Sequence, residues 1–183
     1  MIIIGITGTI GAGKGTVVEY LKTKGFKHYS ARNFIVREIE KRGLAVDRDS
    51  MTAVANDLRT IHSPSYIIES LFIEANRDGG NAVIESIRTE GEIMALRREP
   101  HFILLAIDAD QKVRYDRIIA RGSSTDRITF EKFKADEARE MTSDDPHKQN
   151  LSRCIALADH TLTNNGTLRE LYAQVDVILK SIV

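Results

Sequence analysis

The chain has 183 residues, 42% apolar and 28% charged, which suits one globular domain with a sizeable core at roughly 150 residues per domain. Lys plus Arg and Asp plus Glu both count 26, and this balance argues against a general nucleic-acid or membrane-surface binder, whose affinity rests on excess positive charge. The single cysteine, Cys154, has no internal disulfide partner, and no segment approaches the roughly 20 apolar residues of a membrane span or the pattern of a signal peptide. A cytoplasmic chain in a reducing compartment is expected.

Residues 2–7 form a β-branched run bounded by glycine, the pattern of a strand buried on both faces. Residues 14–24 follow as a helix with Val17, Val18 and Leu21 on one face and Gly25 as its stop. A second strand fits residues 26–30, then helices fit 33–42, 50–62 and 64–77, the last with Pro64 at its first position. Asp78-Gly79-Gly80-Asn81 is a turn before a third strand at 82–84. Residues 102–107 predict a fourth strand and 159–162 a weaker fifth. Helices fit 90–98, 111–121, 129–140, 147–158 and 167–181, and Thr167 with Glu170 has capping-box spacing. Strands alternating with helices predict an α/β fold, a parallel sheet with helices on both faces.

Gly8-Thr9-Ile10-Gly11-Ala12-Gly13-Lys14-Gly15-Thr16 directly follows the first strand and enters the first helix, satisfying the G-x-x-x-x-G-K core of a phosphate-binding loop. Its glycines permit close approach of the backbone, so successive amide hydrogens can face phosphate oxygens at a helix N-terminus. Lys14 adds a point charge for β- and γ-phosphates. Gly15 stands where Ser or Thr commonly contacts magnesium, and Thr16 is placed for the α-phosphate. The metal is therefore expected to rely on phosphates and water.

The Gly-Lys-Gly-Thr ending resembles that of adenylate-kinase-like phosphotransferases, and the likeness extends over roughly residues 1–180. Val83-Ile84-Glu85-Ser86-Ile87-Arg88 is similar to the third-strand signature of nucleoside monophosphate kinases, where an acidic residue ends the strand and an arginine grips the acceptor phosphate. Tyr29-Ser30-Ala31-Arg32-Asn33, with Arg37, resembles the start of their acceptor-binding helices. Asp108-Ala109-Asp110 with Arg117 and Arg121 resembles the fourth strand and the arginine-bearing helix leading to a lid. Ala158-Asp159-His160 and the following Asn164-Asn165-Gly166 resemble the adenine-side loop of dephospho-coenzyme A kinases.

The resemblance implies the three-layer P-loop NTPase fold, with five parallel strands and the first strand central. It implies one domain with a core of about 1–30, 81–121 and 151–183, an acceptor-binding helical insert at 31–80 and a lid region at 122–150, the latter two mobile. ATP would bind Gly8, Gly11, Ala12, Gly13, Lys14, Gly15, Thr16, Arg121, Asn165 and Gly166. The acceptor would meet Ser30, Arg32, Asn33, Arg37, Arg88 and Arg127. Glu85 would serve magnesium through water, and Lys14, Arg88, Arg117 and Arg121 would carry the transfer.

The residues themselves support some of these roles. A guanidinium fork at Arg88 suits phosphate bidentately. Arg117 and Arg121, four apart, share a helix face on which they can neutralise a transferring group, whereas Arg114 reads as part of a solvated face. Asp57 and Arg59 are open candidates for the acceptor side. The five histidines are scattered without ligand spacing, and Cys154 reads as buried and inert. Ser30-Ala31-Arg32-Asn33 offers no aspartate to take a proton from a hydroxyl acceptor, and an ionised monophosphate needs no such base. The expected activity is ATP- and magnesium-dependent transfer to a small nucleotide, a (deoxy)nucleoside monophosphate. The alternatives are a dephospho-coenzyme A kinase-like enzyme with a hydroxyl acceptor and an ATP-binding regulatory module that transfers nothing.

Overall fold

The computed structural model describes residues 1–122 and 128–182, the side chain of Arg48 excepted. Strands β1 (Ile3–Gly8), β2 (Lys27–Ser30), β3 (Ala82–Glu85), β4 (Phe102–Asp108) and β5 (His160–Thr163) form one parallel sheet in the order β2-β3-β1-β4-β5. Between and after them run α1 (Lys14–Thr23), α2 (Ala31–Lys41), α3 (Arg48–Ile61), α4 (Tyr66–Asp78), α5 (Glu90–Leu96), α6 (Gln111–Arg121), α7 (Phe130–Met141), α8 (Leu151–Ala156) and α9 (Leu168–Ile182). The first strand is central, as expected, and all six of its residues are buried.

Alternation along the strands divides the core in two. Ile3, Ile84 and Leu104 pack with Ile35, Ile39, Val54, Leu58 and Leu71 from α2, α3 and α4. Ile4, Ile6, Val83, Leu105 and Ile107 pack instead with Val17 and Leu21 of α1 and Leu171 and Val175 of α9. The result is three layers, helix–sheet–helix. At roughly 1.5–3 kcal/mol for each fully buried aliphatic side chain, these clusters hold the strand ends firmly. The register aligns Ile6 with Glu85 and Gly8 with Ile107, so the carboxyl ends of β1, β3 and β4 meet at one edge. That edge is the topological switch point where such sheets bind ligands.

Several element ends differ from their sequence-based expectation, each for a local reason. Helix α2 starts at Ala31 instead of residue 33, because Ser30 Oγ accepts from the Asn33 amide and caps it. Pro64 lies in the turn before α4, whose first residue is Tyr66. The helix expected at 147–158 begins only at Leu151, since the Asn150 side chain accepts from the Arg153 amide. The Thr167–Glu170 box forms as expected, with Glu170 Oε2 accepting from the Thr167 amide at 2.7 Å. Within the expected insert, Ile67, Ile68, Leu71 and Ala75 of α4 belong to the sheet's own core.

Candidate active site

Two glycines make the loop possible. Gly8 closes β1 at φ +131°, and a Cβ there would stand 2.0 Å from the Ile107 carbonyl oxygen. Gly13 sits at φ +98° before α1, where a Cβ would come within 2.4 Å of Asn164 Nδ2. That amide nitrogen instead donates to the Ala12 carbonyl at 2.8 Å, clamping the loop from the end of β5. Lys14 Nζ folds over the loop, donating to the Gly8 and Thr9 carbonyls at 2.8 and 2.7 Å. Burial, and then the positive charge of Arg88, lower its pKa from 10.5 to about 8.

A cavity of about 400 Å³ opens above the loop, lined by Gly8, Gly11, Gly13, Lys14, Gly15 and Thr16 and, opposite them, by Arg88, Arg117, Arg121 and Glu140. The structure thus brings the expected loop residues and three of the expected arginines around one space. Ala12 is the exception among the loop residues: fully buried, it does not line the cavity, and its carbonyl is the acceptor for Asn164. Arg117 Nη2 lies 3.5 Å from Asn164 Oδ1, and its Nη1 is buried with no hydrogen-bond partner among the described residues.

Arg114 overturns its expectation. Far from lying on a solvated face, it is 5% exposed, donating to the Ala109 carbonyl at 2.7 Å and the Ile10 carbonyl at 3.2 Å. It also pairs with Glu137 of α7, so one guanidinium ties the phosphate loop to α6 and α7. The sequence signal was its spacing of four from the apolar Ile118, which is buried on the same face.

A second cavity of about 720 Å³ adjoins the first and shares Ile10, Arg88, Ile118, Arg121 and Glu140 with it. Arg32, Arg59, Glu85 and Ser86 add to its wall. Arg88 Nη1 donates to Gln149 Oε1 at 2.7 Å and lies 3.4 Å from Glu140 Oε2, while its amide donates to the buried Glu92 carboxylate at 2.7 Å. Burial pushes the Glu92 pKa up against the pull of Arg59, which reaches it at 3.4 Å. Ser86, between Glu85 and Arg88, holds φ +68°, the one left-handed non-glycine among the described residues. Strain of that kind persists where surrounding structure enforces it.

The remaining expected site residues divide. Ser30 Oγ donates to Glu85 Oε1 at 2.8 Å and so orients that carboxylate without lining either cavity. His28 Nε2 stands 3.3 Å from the same oxygen, and it is the foremost cause holding the Glu85 pKa below the usual carboxylate value, with Ser30 adding to it. Neither Asn33 nor Arg37 lines either of these two cavities, and Arg37 pairs with Glu74 at 3.0 Å. Asp57 pairs with Arg42 outside both cavities, whereas Arg59 faces the second. Asn165 exchanges two hydrogen bonds with Asp110, and Gly166 lies against Glu170; neither lines either of these two cavities. Arg127 lies outside the described residues. Cys154 is buried, which pushes its thiol to about 12.

The donor set fits a magnesium ion carried mainly by phosphate oxygens and water. A Cβ at Gly15 would meet nothing within 4 Å, so that position leaves open space and offers no hydroxyl. Among the described residues no group of three His, Cys, Asp or Glu side chains could hold a metal alone. Thr16 lines the loop cavity, and Glu85, its carboxyl held below the usual range, lines the adjoining one; these would be the groups to hold a hydrated ion.

The sheet order, the loop after its central strand and the arginines facing that loop define a P-loop protein. The chain belongs to the AAA domain family, whose model matches residues 4–142, and to the UPF0200 proteins. It is 30% identical over 186 residues to UPF0200 protein MJ1399 of Methanocaldococcus jannaschii, covering all of this chain and 91% of that one. Among solved structures it is similar to TT1252 from Thermus thermophilus, with a TM-score of 0.68, 22% identity and coverage of 100% and 98%. It is likewise similar to shikimate kinase from Bacteroides thetaiotaomicron, with a TM-score of 0.59, 11% identity and coverage of 98% of each chain. Among the described residues no helix is long and apolar enough to cross a membrane.

Proposed function

We propose that the protein is an ATP- and magnesium-dependent phosphotransferase that moves the γ-phosphoryl group to a (deoxy)nucleoside monophosphate. The observation that carries this reading is the shared wall: Arg88, Arg121 and Glu140 border both the phosphate-loop cavity and the larger one beside it. A donor phosphate on the loop and an acceptor in the second cavity would therefore meet at Arg88 and Arg121. Phosphoryl transfer asks mainly for in-line positioning and charge neutralisation. The loop amides and Lys14 hold the β- and γ-phosphates, Arg88 grips the acceptor phosphate, and Arg117 and Arg121 offset charge on the transferring group. Magnesium, when bound, supplies further charge neutralisation across the phosphates, with Glu85 orienting its water.

A monophosphate acceptor arrives ionised and would find Arg32, Arg59, Arg88 and Arg121 in the wall of the second cavity, where they stand among the carboxylates of Asp47, Glu85, Asp136, Glu137 and Glu140. A hydroxyl acceptor is the second reading. It is favoured by Glu85, a carboxylate in the wall of that cavity, and by the likeness to shikimate kinase, named for an acceptor that is not a nucleotide. Incubation with magnesium-ATP and each candidate acceptor, following ADP, separates the readings. ADP production that depends on a nucleoside monophosphate is the expected result. Production that depends on dephospho-coenzyme A or another hydroxyl acceptor would transfer the assignment to the hydroxyl reading. Slow ADP release indifferent to every acceptor would make the protein a nucleotide-binding regulatory module.

A further inference from the structure

The element facing the phosphate loop across the cleft contributes an anion. Glu140, in the last turn of α7, lines both cavities, and its Oε2 stands 3.4 Å from Arg88 Nη1. Its negative charge is also felt at Lys14 on the opposite wall. A carboxylate therefore already occupies the guanidinium that the proposed function assigns to the acceptor's phosphate. The neutral Gln149 Oε1 holds the same Nη1 at 2.7 Å, so Arg88 remains oriented if the carboxylate leaves. Helix α7 is in turn held by Glu137, which pairs with Arg114 and accepts from Gln111 Nε2 at 2.6 Å. Glu140 can thus swing away by its side chain while the helix stays in place.

We propose that Glu140 is a resident competitor on Arg88: an acceptor's phosphate must displace it and a neutral alcohol leaves it in place, so it holds down the cavity's affinity for anionic ligands alone. The inference rests on the reading of Arg88 as the acceptor's phosphate ligand. The exchange is one anion for another on a single guanidinium. A dianion with several oxygens matches the fork better than one oxygen at 3.4 Å, so the phosphate wins the competition. A neutral ligand brings no charge to replace the carboxylate and would leave Arg88 paired as it is. Glu140 thus lowers the cavity's affinity for a phosphate-bearing ligand and leaves that for its uncharged counterpart as it was.

The test compares the full-length protein with Glu140→Gln, titrating inorganic phosphate, the four common ribonucleoside 5′-monophosphates and the matching nucleosides by calorimetry. Removing one partly exposed competitor charge should tighten phosphate and monophosphate binding by about fivefold and leave nucleoside binding unchanged. In turnover the same variant should lower the KM for the monophosphate with little change in kcat. Unchanged or weaker phosphate binding by a variant of normal melting temperature overturns the proposal, as does equal tightening for the nucleosides. Glu140→Asp, which shortens the side chain and draws the charge back from Arg88, should gain affinity in the same direction; it decides the matter if the glutamine variant does not fold. Phosphate binding is read without turnover. A wild-type protein that binds phosphate through Arg88 yet transfers to no monophosphate would refute the proposed function while leaving this inference to be decided by the variant.

Discussion

The two walls of the cleft are constructed from different materials. The donor wall is main chain: a loop between a buried strand and a helix, shaped by Gly8 and Gly13 and clamped at Ala12 by the Asn164 amide. The acceptor wall is side chain: Arg88 held by Gln149 and Glu140, Arg59 by Glu92, and Glu85 by Ser30 and His28. A backbone cradle cannot be re-aimed by one substitution on its surface, and it serves any polyphosphate. A wall of charge pairs joins residues far apart in the chain, and each exchange of partner changes what it accepts. On the proposed function, the loop half is therefore generic and the side-chain half is where selectivity would be set.

The sharpest way to break this contrast is at Lys14, the donor wall's one charged side chain. Lys14→Ala should reduce transfer about a thousandfold, comparable to removing a principal charge-stabilising group from a transition state, with the fold intact. Near wild-type turnover at saturating ATP would show that the loop does not hold the donor. Next comes Arg114, which joins the two walls. Arg114→Ala should cost about 3 kcal/mol in denaturant unfolding, because it leaves the Glu137 carboxylate buried without its charge partner. A loss below 1 kcal/mol would show the pair to be dispensable to the architecture.

Arg88 tests whether the walls are separable. Arg88→Ala should raise the acceptor KM about a hundredfold, as expected for loss of a charged bidentate partner, with a much smaller effect on ATP affinity. Equal losses for both ligands would merge the two walls into one site. The mildest test is pH. Lys14 in the free protein loses its proton near pH 8, and a bound polyphosphate must raise that value. ATP affinity should therefore fall above pH 8, by up to about tenfold per unit. Stability runs the other way. Between about 8 and 10.5 the unfolded chain binds more protons at this lysine than the folded one, so the folded state gains from Lys14 as pH rises through that window. Affinity that is flat from pH 7 to 10 would remove Lys14 from the binding step.

Local signals carried far along this chain. The β-branched run, the glycine spacing and Lys14 specify a strand, a turn and a helix within nine residues of loop, because backbone conformation answers to nearby sequence. Alternating strands and helices specify the parallel sheet by the handedness and length of their crossovers, and the capping box of α9 is legible in four residues. Charge partners are not legible in this way. Arg114 reads as a surface residue until α7 supplies Glu137, and Glu140 and Gln149 carry no motif at all. Asn33 and Arg37 stand in the stretch that resembles an acceptor-binding helix, yet neither lines either of the two cavities. Sequence by itself determined the three-layer fold and the phosphate loop, since both follow from periodicity and short-range sterics. Only the tertiary structure decided which arginines face the cleft and which carboxylates hold them, because electrostatic pairing depends on distances in space that adjacent residues do not encode.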